Sequence, residues 1–396
     1  MTPVSIAALM LSFAAIAIAW DRFTTGRLLM SVLLLMAHVA ASIFYYTYST
    51  TGIADSSAYY FDLFNLGSAP WRTGTVFVTK LCHVLKVGMG ASYLDCFLLF
   101  QSFGFAGLMI LARLFSEIEA KVGVPERRGY WILLFLPSVN FWTAAIGKDA
   151  PIFFALCLCL WTMMNLRKRF LYFCVSIAIM ILFRAHVALI SVTALAVSAF
   201  FGSSASLGRK AGLLTVALVG IWITSGAVQS ALGVDATSIS SVSDYLDQQN
   251  QSFANVAGNT SIGDASLPVR ALSLLFRPFF FDARGIQGVI ASMENVAVAI
   301  GVLYLITHWR DLMHLVRRVP FVRFAAISAF LILFVLTLVY YNVGLGLRQR
   351  VMAYPMVFAL LVALWSLREK HKLGAKPQPA NRLMVNANAN RAAIEL

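Results

Sequence analysis

The sequence predicts an all-α polytopic membrane protein with about eleven transmembrane helices and two larger loops on one side of the membrane. Hydrophobic residues make up 60% of the 396 residues, and charged residues only 12%. The mean hydropathy of +0.79 lies outside the range of soluble globular domains. Apolar runs that approach or exceed the length needed to cross ~30 Å of hydrocarbon recur along the chain, joined by short basic segments. We therefore expect one integral membrane domain over residues 1–372.

The predicted spans follow one another closely except at two places. In chain order they cover 3–20, 28–46, 92–115, 130–147, 149–165, 170–184, 186–201, 211–232, 286–306, 321–341 and 351–367. The first run has no basic segment before it and no small-residue cleavage site, so we expect a retained helix and not a cleaved signal. A charged break separates 170–184 from 186–201, which allows either two short spans or a re-entrant turn. The polar segment 373–396 predicts a disordered cytoplasmic tail.

Lysine and arginine residues predict the orientation of these spans. With the amino terminus outside, all but ten of the 31 basic residues lie on the cytoplasmic side. The formal net charge of +14 then reflects a membrane surface, so the basic composition does not indicate a nucleic-acid partner. The five cysteines lie mostly in apolar runs without metal-ligand spacing, and we expect them to be packing residues.

Two long segments, 47–91 and 233–285, face the non-cytoplasmic side in this topology. The first contains "VFVTKLCHVLKVGMG", whose apolar residues recur at helical spacing and predict a helix in the membrane interface. The second begins polar and ends apolar and basic with "LFRPFFFDARG". A long loop that becomes apolar as it returns to the membrane is typical of a lid or a binding loop.

Ten basic residues on this side run against the prevailing charge distribution. They are Arg72, Lys80, Lys86, Lys148, Arg184, Arg270, Arg277, Arg284, Arg348 and Arg350. A charge near a membrane boundary is costly unless it is paired or reaches water, so several arginines on one side predict an anionic ligand. Arginine donates hydrogen bonds in pairs and stays charged, which suits a phosphate. The ligand we expect is a lipid phosphate or diphosphate.

Several of these residues also have a structural interpretation when each is taken singly. "GKDAP" at 147–151 is a possible helix start, with Asp149 as N-cap. "RQR" at 348–350 is a possible interfacial anchor. Arg184 and His186 interrupt an apolar run, where a charge has no inexpensive position, and this favours a functional role.

Three acidic or amide residues near "LFRPFFFDARG" are expected to form local contacts. Asp282 suits an ion pair with Arg277 or Arg284. Glu294 and Asn295 lie inside the following span, where pairing with a neighbouring helix is more typical than chemistry.

Asp55 is a candidate catalytic acid in the first outer segment. If that segment is helical, Asp55 and Asp62 share a face. The Asp55 carboxylate suits a general base or a metal ligand, and it equally suits the cap of a short helix. No other close acid pair supports a divalent site, so we expect no metal. The chain has no Walker A loop and no G-x-G-x-x-G, so we expect no cofactor and a substrate that is already activated and membrane-borne.

Four segments share their order and their outer-face positions with one known group of enzymes. They are "LLFLPSVNFWTAAIGKDAPIFF", "FRAHVA", "LLFRPFFFDARGIQGVIASMEN" and "YYNVGLGLRQRVMAYP". These segments resemble the integral-membrane polysaccharide polymerases of bacterial O-antigen, capsule and exopolysaccharide pathways, the Wzy-like group.

The resemblance implies a C-type glycosyltransferase in the bacterial inner membrane, with both long loops and the site in the periplasm. It implies an undecaprenyl-diphosphate-linked oligosaccharide as substrate and makes other polysaccharide export proteins possible partners, beside the membrane lipids. The site residues it implies, through "FRPF", "RQR", "FRAHVA" and "GKDA", are Arg277, Arg348, Arg350, Arg284, Arg184, Lys148 and Asp149.

The leading hypothesis is that a cluster of cations clamps the donor diphosphate and stabilises the departing carrier. The cluster comprises Arg277, Arg348, Arg350 and Lys148. Asp55 or Asp282 then takes the proton from the acceptor hydroxyl. One alternative is a transferase that adds a single sugar from a polyprenyl monophosphate. Another is a flippase or export component, although transporters usually show repeated halves and charges near the bilayer midplane.

Overall fold

A computed structural model of the chain describes residues 2–202 and 265–374, except positions 53, 64, 127, 284, 340 and 341. It also describes seven helical positions between 208 and 222. Most of the predicted span 211–232 therefore lies outside the described residues, as do Arg284 and the predicted tail beyond residue 374. The described residues form α-helices joined by turns and short 3₁₀ segments, without a β-strand.

The helices of the described residues are numbered in chain order. They are α1 (Pro3–Ala19), α2 (Thr25–Thr51), α3 (Asp55–Phe61), α4 (Thr75–Met89), α5 (Tyr93–Val122), α6 (Trp131–Leu134), α7 (Pro137–Trp142), α8 (Asp149–Thr162), α9 (Phe170–Gly202), α10 (Leu267–Phe276), α11 (Gly285–Thr307), α12 (Trp309–Arg318), α13 (Pro320–Leu338), α14 (Val343–Gln349) and α15 (Tyr354–Lys372).

Five helices of the described part of the chain, α2, α5, α9, α11 and α13, are long and apolar enough to cross a membrane. The segment Val343–Met352 and α15 meet at an angle of 56°, and the count rises to six if this bent pair is taken as one span. Three apolar helices are shorter, namely α1, α8 and α10. The chain is thus an all-α membrane protein, as predicted, while length and composition give fewer spans among these residues than the predicted eleven.

The helix α9 turns back on itself at Arg184. This residue has non-helical dihedral angles, with φ at −151° and ψ at 83°. Beyond it, the Ser191 hydroxyl lies 3.4 Å from the Met180 sulfur. Eleven residues of continuous helix would separate those positions by about 16 Å. The break therefore divides α9 into two arms of 170–183 and 185–202, with Arg184 at the turn.

Ion pairs join the helix ends at one end of the bundle, here called the basic end. The pairs are Arg27–Glu126, Arg113–Asp21, Arg169–Glu117 and Arg368–Asp311. They connect the start of α2, the last turns of α5, the start of α9 and the last turns of α15. The opposite end, here called the site end, holds the last turn of α2, the turn of α9 and the start of α8.

The long helix α5 packs at the centre of the bundle because two glycines allow close approach. A Cβ atom at Gly104 would lie 2.0 Å from the Thr143 carbonyl oxygen. A Cβ atom at Gly107 would lie 2.8 Å from the Phe153 ring. Large buried side chains such as Phe97 fill the space around these contacts.

The segment 47–91 differs from the prediction that Asp55 and Asp62 share a helix face. The helix α3 ends at Phe61, and Asp62 takes a left-handed conformation with φ at 52°. The Asp62 carboxylate accepts hydrogen bonds from the backbone N–H groups of Leu66 at 2.6 Å and Gly67 at 2.8 Å. Asp55 and Asp62 therefore do not share a helix face, because the Asp62 side chain closes the following loop. The helix predicted later in this segment is present as α4.

Candidate functional site

Arg348 joins two carboxylates at the site end of the bundle. Its Nε donates to Asp149 Oδ2 at 2.5 Å. Its Nη1 donates to the carboxylate of Asp55. The three residues come from α14, α8 and α3, so one guanidinium connects three segments that are distant in the sequence.

Arg184 brings the turn of α9 to the same carboxylate. Its Nη2 donates to Asp149 Oδ1 at 2.5 Å, so each oxygen of Asp149 has one arginine. The Asp149 side chain is only 10% exposed, whereas the Asp55 side chain is 55% exposed. A buried carboxylate is stable only with such partners, so Asp149 holds the two arginines while Asp55 remains open to solvent.

Lys148 precedes Asp149 and adds a third cation. Burial lowers the pKa of Lys148 to about 8. The positive charges of Arg184 and Arg348 also lower this pKa, whereas the carboxylates of Asp149 and Asp55 raise it. The five residues Asp55, Lys148, Asp149, Arg184 and Arg348 are called the basic centre below. With Lys148 protonated, its three cations exceed its two carboxylates by one charge.

Local backbone features bring these side chains together. Gly147 has φ at +157°, which L side chains rarely adopt, and a Cβ there would lie 3.8 Å from Arg348 Nη2. The chain thus enters α8 close to the guanidinium. Asn342 starts α14, since its side-chain oxygen accepts from the Gly344 N–H at 2.8 Å, and Arg348 lies in the last turn of this helix.

Aromatic rings flank the basic centre. The Arg348 guanidinium lies 5.9 Å from the centre of the Trp142 ring. Tyr59 is buried in α3, and this burial, followed by the charge of Asp55, raises the pKa of its hydroxyl to about 12. Apolar surroundings strengthen the electrostatic interaction between the centre and any bound anion.

Asp149 differs from its predicted local role. It is the first residue of α8, and Lys148 occupies the N-cap position. The Asp149 carboxylate binds Arg184 and Arg348 instead of capping the helix. The prediction of a helix start at "GKDAP" is confirmed, and the predicted cap is wrong because two arginines compete for the side chain.

Arg277 and Asp282 form a second charged group in the turn between α10 and α11. Arg277 Nε donates to Asp282 Oδ2 at 2.6 Å, which is the predicted local pairing. Both side chains are largely buried. Arg284, the other predicted partner, lies outside the described residues.

Arg350 lies two residues after Arg348 but has different contacts. It is 1% exposed and donates to the Leu275 carbonyl at 3.0 Å and to the side-chain oxygen of Asn295. Arg350 therefore fixes the end of α10 against α11.

His186, another predicted site residue, follows the turn of α9 and is partly exposed.

Glu294 and Asn295 pair with neighbouring segments, as predicted. The Glu294 carboxylate accepts from the Ser138 N–H at 2.7 Å and from the Ser138 hydroxyl. Asn295 Nδ2 donates to the Phe276 carbonyl at 3.0 Å and to the Pro278 carbonyl at 2.8 Å. These contacts position the α10–α11 turn, which carries Arg277.

The basic centre suits an anion better than a metal ion. Its two carboxylates are both bound by arginine. Among the described residues, no group of three or more His, Cys, Asp and Glu side chains is arranged to hold a metal. Comparisons with protein-family models, curated proteins and solved structures found no match to this chain.

Proposed function

We propose that this protein is a glycosyltransferase that polymerises undecaprenyl-diphosphate-linked oligosaccharide repeat units at the periplasmic face of the bacterial inner membrane. The observation that carries the proposal is the position of Arg348 between Asp55 and Asp149, beside Arg184 and Lys148. The resemblance of four sequence segments to Wzy-like polymerases supports the same assignment.

The charge and location of the basic centre favour a diphosphate attached to a lipid. Three cations face two carboxylates, so the centre gains stability when it binds a further anion. Two of the cations are guanidinium groups, which donate paired hydrogen bonds to phosphate oxygens. A site at the end of an apolar helix bundle is within reach of the headgroup of a membrane-borne substrate.

The proposed reaction joins two lipid-linked glycans. A hydroxyl of the acceptor repeat unit attacks the anomeric carbon of the donor sugar, and the bond from that carbon to the diphosphate oxygen breaks. Undecaprenyl diphosphate leaves with the bonding electron pair, and its negative charge is stabilised by Arg348, Arg184 and Lys148.

Asp55 is the proposed acceptor of the hydroxyl proton. Its carboxylate is half-exposed and is bound by Arg348, whereas the Asp149 carboxylate is buried between two arginines. A diphosphate that binds Arg348 competes with Asp55 for the same guanidinium. This exchange frees the Asp55 carboxylate next to the reacting hydroxyl.

The proposed topology has eleven crossings with the basic end in the cytoplasm. The two arms of α9 count separately, and the predicted span 130–147, with α6 and α7, crosses as a broken span. The positive-inside rule then assigns the ion-paired end to the cytoplasm and the basic centre to the periplasm. The predicted span 211–232 supplies one further crossing.

The test is the identity and location of the lipid-linked glycans in a strain that lacks the gene. Mass spectrometry of extracted lipids, combined with a membrane-impermeant label, gives the composition and the membrane face. Single complete repeat units on the periplasmic face support the polymerase. Complete units confined to the cytoplasmic face point to a flippase, and units that lack one sugar point to a single-sugar transferase; either result contradicts the proposal.

A further inference from the structure

The helix α12 lies at the basic end and is too short to cross a membrane. It follows the span α11, which ends at Thr307, and precedes the span α13, which begins at Pro320. Its apolar side chains, Leu312, Leu315 and Val316, pack against the hydrophobic core of the bundle. Such an amphipathic helix between two spans belongs at the membrane boundary.

Two arginines from neighbouring spans hold α12 in place. Arg323 of α13 is 6% exposed and donates to the carbonyls of Val316 at 2.9 Å and Arg317 at 2.6 Å. Arg368 of α15 pairs with Asp311 at 2.9 Å. The Arg323 guanidinium lies at the last carbonyl groups of α12, where its positive charge also interacts favourably with the helix dipole. The outer side of α12 therefore has a fixed orientation relative to the spans.

The outer side of α12 is basic. Arg310, His314, Arg317 and Arg318 are all exposed, and their spacing of four, three and one residues places them on one face. Among the described residues, the ion pairs do not include Arg310, Arg317 or Arg318. The one acidic residue of the helix, Asp311, is bound by Arg368.

Trp309 begins the helix and is 57% exposed. Tryptophan favours the headgroup region of a membrane, because its ring is largely apolar and its N–H donates a hydrogen bond. Trp309 lies at the start of the basic face of α12, and the apolar face of the helix packs on the bundle. This arrangement places the basic face at the depth of the lipid phosphates.

We propose that the outer side of α12 binds the headgroups of anionic phospholipids in the leaflet at the basic end. The charges of the basic face and of the headgroups are complementary, and each basic side chain near an anionic surface changes the partition constant by a factor of about five. This binding site is distinct from the basic centre and is independent of the proposed reaction.

The test uses the full-length protein purified in a neutral detergent. Native mass spectrometry counts the phosphatidylglycerol and phosphatidylcholine molecules that remain bound when both lipids are added in equal amounts. The test variant combines Arg310→Gln, Arg317→Gln and Arg318→Gln, because glutamine keeps the helix propensity while it removes the charge. The control variant removes three exposed charges from other segments of the basic end, with Arg22→Gln, Arg167→Gln and Lys168→Gln.

We expect the native protein and the control variant to retain phosphatidylglycerol over phosphatidylcholine. The test variant is expected to lose most of this preference, by up to about 100-fold for three charges. Equal losses in the two variants would show a diffuse charge effect and overturn the proposal. An unchanged preference in the test variant would also overturn it and would leave an acidic protein partner as the candidate for this surface.

Discussion

Arg348 and Asp149 are 199 positions apart in the chain, and Arg348 Nε donates to Asp149 Oδ2 at 2.5 Å. The same guanidinium also binds Asp55, which belongs to a different helix. Arg348 is thus the contact at which α3, α8 and α14 meet, and its loss affects both the geometry and the charge of the basic centre. Substitutions that change the charge, the geometry or both separate these two effects.

Replacement of Arg348 is expected to abolish polymerisation. Arg348→Ala removes the group proposed to stabilise the leaving diphosphate, and the loss of one such donor typically lowers the rate by about 10²–10³-fold. Arg348→Lys keeps the charge but not the paired donors, so a large loss is expected here as well. The measurement is polymer length on gels after complementation of a deletion strain. The control is Arg72→Ala, which removes an exposed arginine from the loop before α4.

Arg277 and Arg350 are expected to respond differently to substitution. The hypothesis from the sequence places Arg277 in the diphosphate clamp and predicts that Arg277→Ala abolishes polymerisation at normal protein levels, although Arg277 pairs with Asp282 outside the basic centre. Arg350→Met should lower the thermal stability, because it leaves the Leu275 carbonyl and the Asn295 side chain without their donor. If Arg277→Ala and Arg348→Ala both polymerise at the native rate, the diphosphate clamp is wrong.

Substitutions of Asp149 and Asp55 should distinguish an effect on stability from an effect on activity. Asp149→Asn leaves two arginines in a buried site without their shared carboxylate, which costs about 3–5 kcal/mol in comparable buried pairs. Asp55→Asn should change stability little, because the side chain is 55% exposed, while polymerisation is lost with the proposed base. Thermal unfolding in detergent, measured beside polymer synthesis, distinguishes the two variants. Equal destabilisation by both would contradict the assignment of Asp55.

The double variant Asp149→Asn with Arg184→Gln is the matched control for this comparison. It removes one positive and one negative charge together, so the net charge of the basic centre is unchanged. We expect it to recover part of the stability lost in Asp149→Asn, since fewer buried charges then lack a partner. Activity should remain absent, because Arg184 belongs to the proposed anion site.

Donor binding is expected to weaken as the pH rises through about 8. The pKa of Lys148 is lowered to about 8 by burial, so its ammonium is lost in this range. A bound diphosphate favours the charged form, and the KM for the lipid-linked donor should therefore increase between pH 7 and pH 9. Lys148→Arg should remove this pH dependence and keep binding, whereas Lys148→Gln should bind weakly at both pH values. A native KM that is flat over this range would exclude Lys148 from donor binding.

The same pKa has the opposite effect on the stability of the free protein. The folded value of about 8 lies below the ordinary lysine value of about 10.4, so the unfolded chain binds more protons between these two pH values. The contribution of Lys148 to stability therefore rises with pH across this window. Opposite slopes for donor binding and for unfolding of the free protein are the expected signature, and Lys148→Gln should remove both.

The apolar pattern predicted the helical membrane class, because a span must be apolar along its whole length. It did not predict which charged side chains meet, since the basic centre joins residues 55, 148–149, 184 and 348 from four separate segments. Helical geometry also separates near neighbours in the sequence. Positions two residues apart differ by about 200° around a helix, and Arg348 and Arg350 accordingly have different partners.

Two smaller differences arise from competition for a side chain. Asp62 would share a helix face with Asp55 only if the helix continued to it, but its carboxylate accepts hydrogen bonds from two backbone N–H groups and the helix ends before it. For Asp149 the sequence allowed an N-cap as well as a site residue, but the arginines take its carboxylate. In both cases a local pattern allowed two uses of one carboxylate, and the stronger partner was not visible in the sequence.

Close packing of α5 gives a test of the fold that does not depend on the proposed reaction. A methyl group at Gly104 would lie 2.0 Å from the Thr143 carbonyl, which is backbone and cannot move aside. Gly104→Ala should therefore destabilise the protein, with overpacking typically costing about 1–3 kcal/mol. At Gly88, in the last turn of α4, a Cβ would meet nothing within 4 Å, so Gly88→Ala should stabilise its helix by less than about 1 kcal/mol. The measurement is the thermal unfolding of both variants. Equal changes in their stability would mean that α5 is not packed against the segment that leads into the basic centre.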